Sequence, residues 1–366
     1  MVFGSWLPRI ADVKANLGLS EGVLGLVLLA LPAGTFLALS VAGRLIKRFT
    51  PARTLLFALS VWALVFLLPA VAKSTLTLAI ALGCCGLIAG VLEVASNVEA
   101  DSIEQKIKKR IMSRCHGFWS LGAMSGALLG GPLFADRGVS VVHQFLILSP
   151  FAVAMSIVVT RLLVSRNVST PPAAAVQSQR STGRAPITRQ LLLLCLIPIG
   201  VMAVEGAFMD WTAVFMKEQM NTSAGIAGYT FAMFAGVMAV VRLSGDWLGE
   251  RFGDAWVVRL SGIAAAVGVG LFATATAVPV ALIGASLAGA GAAIVYPLTM
   301  TAVARSSEEH REDNVAYLSI AAFSVLMVAP PVIGGVAEIS SLRVGLLCLI
   351  PGAVLTAMMA KRLTAR

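Results

Sequence analysis

The chain has 366 residues, 58% hydrophobic and only 13% charged, with a mean hydropathy of +0.89; this excludes an ordinary soluble globular protein and names lipid as the main solvent. A formal charge of +10 would suit a nucleic-acid binder only if Lys and Arg shared one exposed face, and here they fall between apolar runs, so no nucleic-acid partner is expected. Those runs are continuous and rich in Leu, Ala, Val and Gly, which selects helices over a closed β-barrel and makes the expected fold all-α and polytopic.

The amino terminus, MVFGSWLPRI, lacks a basic region followed by an apolar one, so no cleavable signal peptide is expected. Phe3, Trp6 and Pro8 precede a polar stretch from Arg9 to Glu21 as the tail of a helix would, which predicts a truncated first span with Met1 in its outer half. Apolar runs of crossing length follow at about 22–43, 54–72, 75–97, 115–135, 141–160, 190–216, 224–247, 256–278, 279–303, 315–337 and 342–360. Two of these share one stretch: Leu260 to Ala304 is free of charge, and as a single helix it would be about 67 Å long, so a turn is expected near Pro279. The count is eleven full spans.

If the 22–43 run passes from outside to inside, six of the 28 Lys and Arg lie outside, namely Arg9, Lys14, Lys73, Arg137, Lys217 and Arg343. With Arg242 set aside as intramembrane, the other 21 lie inside, among them Lys106, Lys108, Lys109, Arg110 and Arg114. That bias predicts a multi-pass protein of the cell inner membrane with a cytoplasmic carboxy terminus. The Pro, Ser and Gln stretch between Arg161 and Arg189 has basic residues and no acidic one, which predicts a flexible cytoplasmic linker over 165–189 between an amino-terminal bundle (1–164) and a carboxy-terminal bundle (190–366).

The two bundles repeat one another. FGSW at Phe3 to Trp6 aligns with FMDW at Phe208 to Trp211, LIKRF at Leu45 to Phe49 with LGERF at Leu248 to Phe252, and Gly130-Gly131 with Gly334-Gly335, at shifts of 203 to 205 residues. A parallel repeat of two six-helix halves joined by a basic inner loop is the organisation of major facilitator transporters, and the chain resembles them. AGRLIKRFTPAR at Ala42 to Arg53 and GDWLGERFGDAWVVR at Gly245 to Arg259 look like the two copies of that superfamily's loop motif. In the first copy Lys47 stands where the family has Asp, and Thr50 where it has Gly. LEVASNVEADSIE at Leu92 to Glu104, MSRCHGFWSLGAMSGALLGG at Met112 to Gly131 and EGAFMDW at Glu205 to Trp211 resemble the MosC-like (YbjJ-like) branch. The LExxxN core at Leu92 to Asn97 is also similar to the fucose:proton symporter family, and that likeness implies a role for Glu93 in proton coupling.

Ionisable residues within a span cost about 2.5–3.5 kcal/mol each on insertion scales and are candidates for function. Glu93 and Asn97 are one turn apart on one helix face, as a carboxylate and its partner facing a cavity or as a polar helix contact. Glu205 falls at mid-span, a cavity candidate. Asp210 falls nearer the outer end, beside Trp211, which could stack a substrate or sit in the interfacial aromatic belt. Arg242, beside the loop motif, is expected to pair with Asp246 as a structural gate element; Arg48 and Arg251 belong to the two motif copies. His116 opens a helix whose Gly122, Gly126 and Gly130 form a close-packing stripe, and is read as an anchor or a titrating group. His143 and His310 read as interface residues. Cys84, Cys85, Cys115, Cys195 and Cys348 lack zinc or disulfide spacing and are read as packing residues.

No Walker motif, HExxH or GxSxG is present, so no ATP-driven, metalloprotease or serine-hydrolase chemistry and no cofactor is expected. The expected function is secondary active transport of a small polar solute, sugar-like and proton-coupled, by alternating access in a monomer. A membrane sensor or scaffold that binds a solute without moving it is the alternative, and an intramembrane enzyme the third reading.

Overall fold

A computed structural model describes residues 1–108, 111–165, 187–306 and 310–363, with the side chains of 113, 163–165, 246, 311 and 312 outside the description. The expected linker therefore lies, over 166–186, outside the described residues, as do Lys109 and Arg110. Residues 2–17 are helical (α1), with a 3-10 turn at Leu7–Arg9 around Pro8. Among the described residues, eleven helices long and apolar enough to cross a membrane follow: α2 (Glu21–Phe49), α3 (Pro51–Ala70), α4 (Thr75–Ile107), α5 (Arg114–Arg137), α6 (Val141–Leu162), α7 (Arg189–Gln219), α8 (Ala224–Leu243), α9 (Asp254–Thr274), α10 (Val278–Ser306), α11 (Asp313–Ile339) and α12 (Leu342–Leu363). All eleven correspond to the runs read from the sequence.

Local chemistry sets where these helices begin. Ser20, Ser74, Thr188, Ser223 and Ser341 each cap a helix by accepting from a backbone N–H three residues on. The long charge-free stretch breaks where expected: α9 ends at Thr274 and α10 starts at Val278, with Pro279 in its first turn. Short connections return each helix antiparallel to the last, so the turns sort into two sets. One set, with the ends of α6 and α7 that flank the linker, defines the linker end of the molecule; the other defines the far end.

Each half has an aromatic centre built from repeat-related positions. Phe3 and Trp6 of α1 meet Phe66 at 6.1 and 6.2 Å between ring centroids, and Phe208 of α7 meets Phe234 and Phe272 at 4.7 Å. The glycine stripe of α5 receives α1: a Cβ added at Gly126 would lie 2.7 Å from the Ser5 nitrogen. Packing therefore accounts for that stripe. The cysteines divide, since Cys85 and Cys195 are buried as expected, whereas Cys115 and Cys348 are exposed on the helix perimeter; all five are free thiols.

α1 lies against α7 and α8, and two further crossings between the halves are built on glycine. α5 lies against α8 along its length, from Gly131 beside Gly228 at the far end to Gly117 beside Leu243 at the linker end. α11 lies mainly against the first two turns of α2, Glu21–Leu28, and touches Ala30–Phe49 much less. There Gly25 faces Gly334 so closely that a Cβ on Gly25 would sit 2.6 Å from the Pro330 carbonyl oxygen and 3.2 Å from the Gly334 Cα. The two crossings are related by the internal repeat, because Gly228 is 203 residues after Gly25 and Gly334 is 203 after Gly131.

A carboxylate accompanies each crossing. Glu338 of α11 accepts from the Gly22 N–H at 2.9 Å, and Asp136 of α5 accepts from the Gly225 N–H at 2.8 Å. Gly131 to Asp136 is one residue longer than Gly334 to Glu338, and the π-helical turn Leu129–Phe134 absorbs the extra residue. Four ions complete the far end: Lys14 bonds Glu218 at 2.7 Å and Lys217 bonds Asp12 at 2.6 Å. With α2 and α11 held there and parting toward the other end, the cleft between the halves opens toward the linker end.

At the linker end, Thr50 and Gly253 occupy equivalent turns, with φ of 71° and 83°. A β-branched residue in that region is strained by about 1–2 kcal/mol. We therefore expect Thr50→Gly to raise the thermal midpoint in detergent by about 2 °C and Gly253→Thr to lower it by a similar amount; a fall in Thr50→Gly would refute the strain. For the crossings, Gly334→Val should force α2 and α11 apart. In a background lacking native cysteines, electron-spin distances between labels at Lys73 and Asn221 should shift to longer values, and an unchanged distribution would show that this contact does not hold the far end shut.

Candidate functional site

Glu93 and Asn97 lie on the linker-end half of α4, both half-buried. The Asn97 side-chain amide donates to Glu93 Oε1 at 2.9 Å, so the one-turn spacing read from the sequence is realised as a bonded pair. Tyr296 of α10 lies within electrostatic range of Glu93, and its hydroxyl is 3.2 Å from Ser319 Oγ of α11. The carboxylate of one half thus lies within electrostatic range of a tyrosine of the other, and the tyrosine hydroxyl is paired with a serine. Tyr296 and Ser319 were not singled out from the sequence. The available signal was a hydroxyl-bearing aromatic inside a charge-free apolar stretch, in a chain with only three tyrosines.

Arg242 and Glu205 form the second polar centre. The Arg242 guanidinium reaches from the linker-end turn of α8 toward mid-span and donates from one nitrogen to both Glu205 oxygens at 2.9 Å. Its other nitrogens donate to Ser120 Oγ of α5 at 2.9 Å and to the Ala293 carbonyl of α10 at 3.1 Å. Both ions are largely withdrawn from solvent, each side chain 11% exposed. The expected partner, Asp246, has its side chain outside the described residues; the described contacts make Glu205 a partner of Arg242. Sequence spacing could not find this, because the two residues are 37 apart on different helices.

Asp210 is half-buried two turns beneath Lys217, under the ion pairs that close the far end, and has no hydrogen-bond or ion-pair partner among the described residues. Trp211 is buried, with 0% of its surface exposed, and its indole N–H has no acceptor among the described residues. The aromatic-belt reading of Trp211 is therefore corrected: a belt residue presents its ring at the membrane perimeter, whereas this ring packs inside its half as the repeat-related Trp6 does. It also offers no open face for stacking in this conformation.

Glu99 of α4 escaped the sequence reading. It is 3% exposed, and neither carboxyl oxygen has a hydrogen-bond partner among the described residues. Its place was legible, since Cys85, Leu92 and Glu99 repeat every seven residues along one buried face. Of the residues assigned to gating, His116 is half-buried at the linker end of α5, and Arg48 and Arg251 are exposed there, Arg48 over the Phe49 ring at 5.3 Å. Neither arginine belongs to the two polar centres in this conformation.

The Arg242–Glu205 pair generates a direct test. Removing one partner leaves the other charge buried, at about 3–5 kcal/mol, whereas removing both relieves that cost. Glu205→Gln and Arg242→Gln should each lower thermal stability in detergent more than the double substitution does. Additive losses in this cycle would mean that the pair contributes no coupling.

A profile described as Major Facilitator Superfamily matches residues 1–246 and 194–366. The chain is 29% identical over 348 residues to an uncharacterized MFS-type transporter of Yersinia pestis, covering 94% of this chain and 87% of that one. It is 24% identical over 363 residues to the membrane protein MosC of Rhizobium meliloti, covering 98% and 85%. The crystal structure of the nucleoside transporter NupG superposes with TM-score 0.74 at 12% identity, over 100% of this chain and 96% of that one. The major facilitator transporter FucP in its outward conformation superposes with TM-score 0.60 at 18% identity, over 100% and 97%. The chain belongs to the Major Facilitator Superfamily.

Proposed function

We propose that this protein is a secondary active transporter of a small, polar, hydroxyl-rich solute, coupled to protons and working by alternating access as a monomer. One observation carries the reading: the Glu93 carboxylate of one half, bonded to Asn97, lies within electrostatic range of Tyr296 of the other, which is itself paired with Ser319. Such a set offers a carboxylate and an amide from one side and hydroxyls from the other, which suits a ligand that both donates and accepts hydrogen bonds. A solute held between them would draw the halves together and favour the conformation open at the opposite face. The solved relatives agree in kind, one being a nucleoside transporter and another a fucose:proton symporter.

The distribution of Lys and Arg supports a linker end, and with it a carboxy terminus, on the cytoplasmic side of the inner membrane. The cleft then faces the cytoplasm. Glu93 is the proton-coupling or substrate-anchoring carboxylate, with Asn97 orienting it. Arg242 and Glu205 form a gate element touching both halves, and Asp210 awaits solute when the far end opens.

Reconstitution in proteoliposomes tests this. A panel of sugars, polyols, nucleosides and amino acids is first screened by thermal shift for a ligand, and its flux is then measured with and without an imposed pH gradient. Binding without flux would favour the sensor or scaffold. Glu93→Gln keeps the shape and removes the titrating proton, so gradient-driven accumulation should be lost while counterflow exchange persists. Accumulation equal to the parent's across the pH range would overturn the assignment of Glu93.

A further inference from the structure

We propose that the groove between α9 and α12 at the linker end is a binding site for an anionic phospholipid, its phosphodiester headgroup held by Arg259 and Lys361 and an acyl chain lying between the helices. The groove has a volume of about 590 Å³ and is remote from the Glu93 and Arg242 centres. Its walls are Ile263 and Val267 on α9 and Val354 and Met358 on α12, each at least 42% exposed on the outer surface of the bundle. Ala266 and Ala357 line it with short side chains. The two helices meet closely at its floor, where a Cβ on Gly262 would lie 2.6 Å from the Ala357 nitrogen.

The spacing and the charge specify the occupant. Positions 259, 263, 266 and 267 share one face of α9, and 354, 357, 358 and 361 one face of α12, so the apolar walls run along the membrane normal and each ends in a cation. Arg259 is about 7 Å from the start of α9 and Lys361 lies two residues from the end of α12, both at headgroup depth. Trp256, 50% exposed one turn before Arg259, marks the same interfacial level. An apolar slot opening to the bundle perimeter, capped by two exposed basic side chains at the interface, complements one acyl chain below a negative phosphate.

The test uses the purified full chain in detergent, titrated with phosphatidylglycerol or with phosphatidylcholine of the same acyl composition, and bound lipid read by native mass spectrometry. Phosphatidylglycerol should be retained in preference. Arg259→Gln with Lys361→Gln should weaken its retention by roughly twenty-five-fold, at about fivefold per basic residue. Arg161→Gln with Arg189→Gln makes the same change of charge at the same end, outside the groove, and should leave retention unchanged. Ala357→Phe, which fills the slot and keeps both cations, should weaken retention as well and serves alone if the Gln pair does not fold. Equal retention of the two lipids, an equal loss in the control pair, or full retention in Ala357→Phe would each overturn the site.

Discussion

Two helix crossings between the halves, Gly25 on Gly334 and Gly131 on Gly228, decide how this molecule is arranged. In lipid no hydrophobic force draws one apolar helix to another, so association depends on close backbone packing and on polar contacts where those are available. Glycine supplies the first. The second comes from Glu338 and Asp136, whose carboxylates accept from the first N–H groups of the opposite half's α2 and α8, where unsatisfied donors and the positive end of the helix dipole are concentrated. Because each crossing is the repeat image of the other, the halves are related by an approximate twofold axis. The ion pairs Asp12–Lys217 and Lys14–Glu218, separated by 205 and 204 residues, join positions that the repeat makes equivalent and so sit close to that axis. Everything else about the cleft follows from a far end held in this way: α2 and α11 diverge from it, and α4 and α10 become facing walls.

Polar contacts within the span are divided unequally between the halves. Arg242 keeps its ionic bond to Glu205 and its bond to the Ala293 carbonyl inside the second half, and among the described residues reaches the first half through Ser120 alone. A hydrogen bond of this kind is worth about 1 kcal/mol net, or up to about 3 when one partner is charged, whereas separating the buried ions would cost about 3–5. Relative motion of the halves can therefore break the Ser120 bond while the cation stays with its carboxylate. The far-end ion pairs cross between halves and are more accessible to water, with Glu218 and Lys217 30% and 38% exposed, so they too can separate without stranding a charge in a dry interior.

How much of this was legible in the sequence differs by element. The spans, their ends and the break at Pro279 were readable because a bilayer demands continuous apolar runs of fixed length and leaves caps and prolines at their borders. The Glu93–Asn97 pair was readable because one helical turn joins its members. Glu205 and Arg242 were each visible as costly intramembrane ions, but their partnership was not, since no local spacing relates α7 to α8. Trp211 was left between stacking and the belt for a related reason: an aromatic residue near a helix end does not show along the chain which neighbours it meets, and only the neighbouring helices bury it. Tyr296 and Ser319 passed unnoticed because a hydroxyl is inexpensive anywhere on a membrane helix.

The sequence by itself determined that the chain is helical, how many times it crosses the membrane, that its halves repeat and which few ionisable groups the membrane tolerates, because each of these is set by hydropathy or spacing along one helix. Only the tertiary structure decided which carboxylate holds which cation, which glycines touch across the halves and which end of the cleft is shut. Those outcomes depend on rotation and approach between helices far apart in the chain, where apolar runs of similar composition admit many arrangements and backbone contact at four glycines selects one.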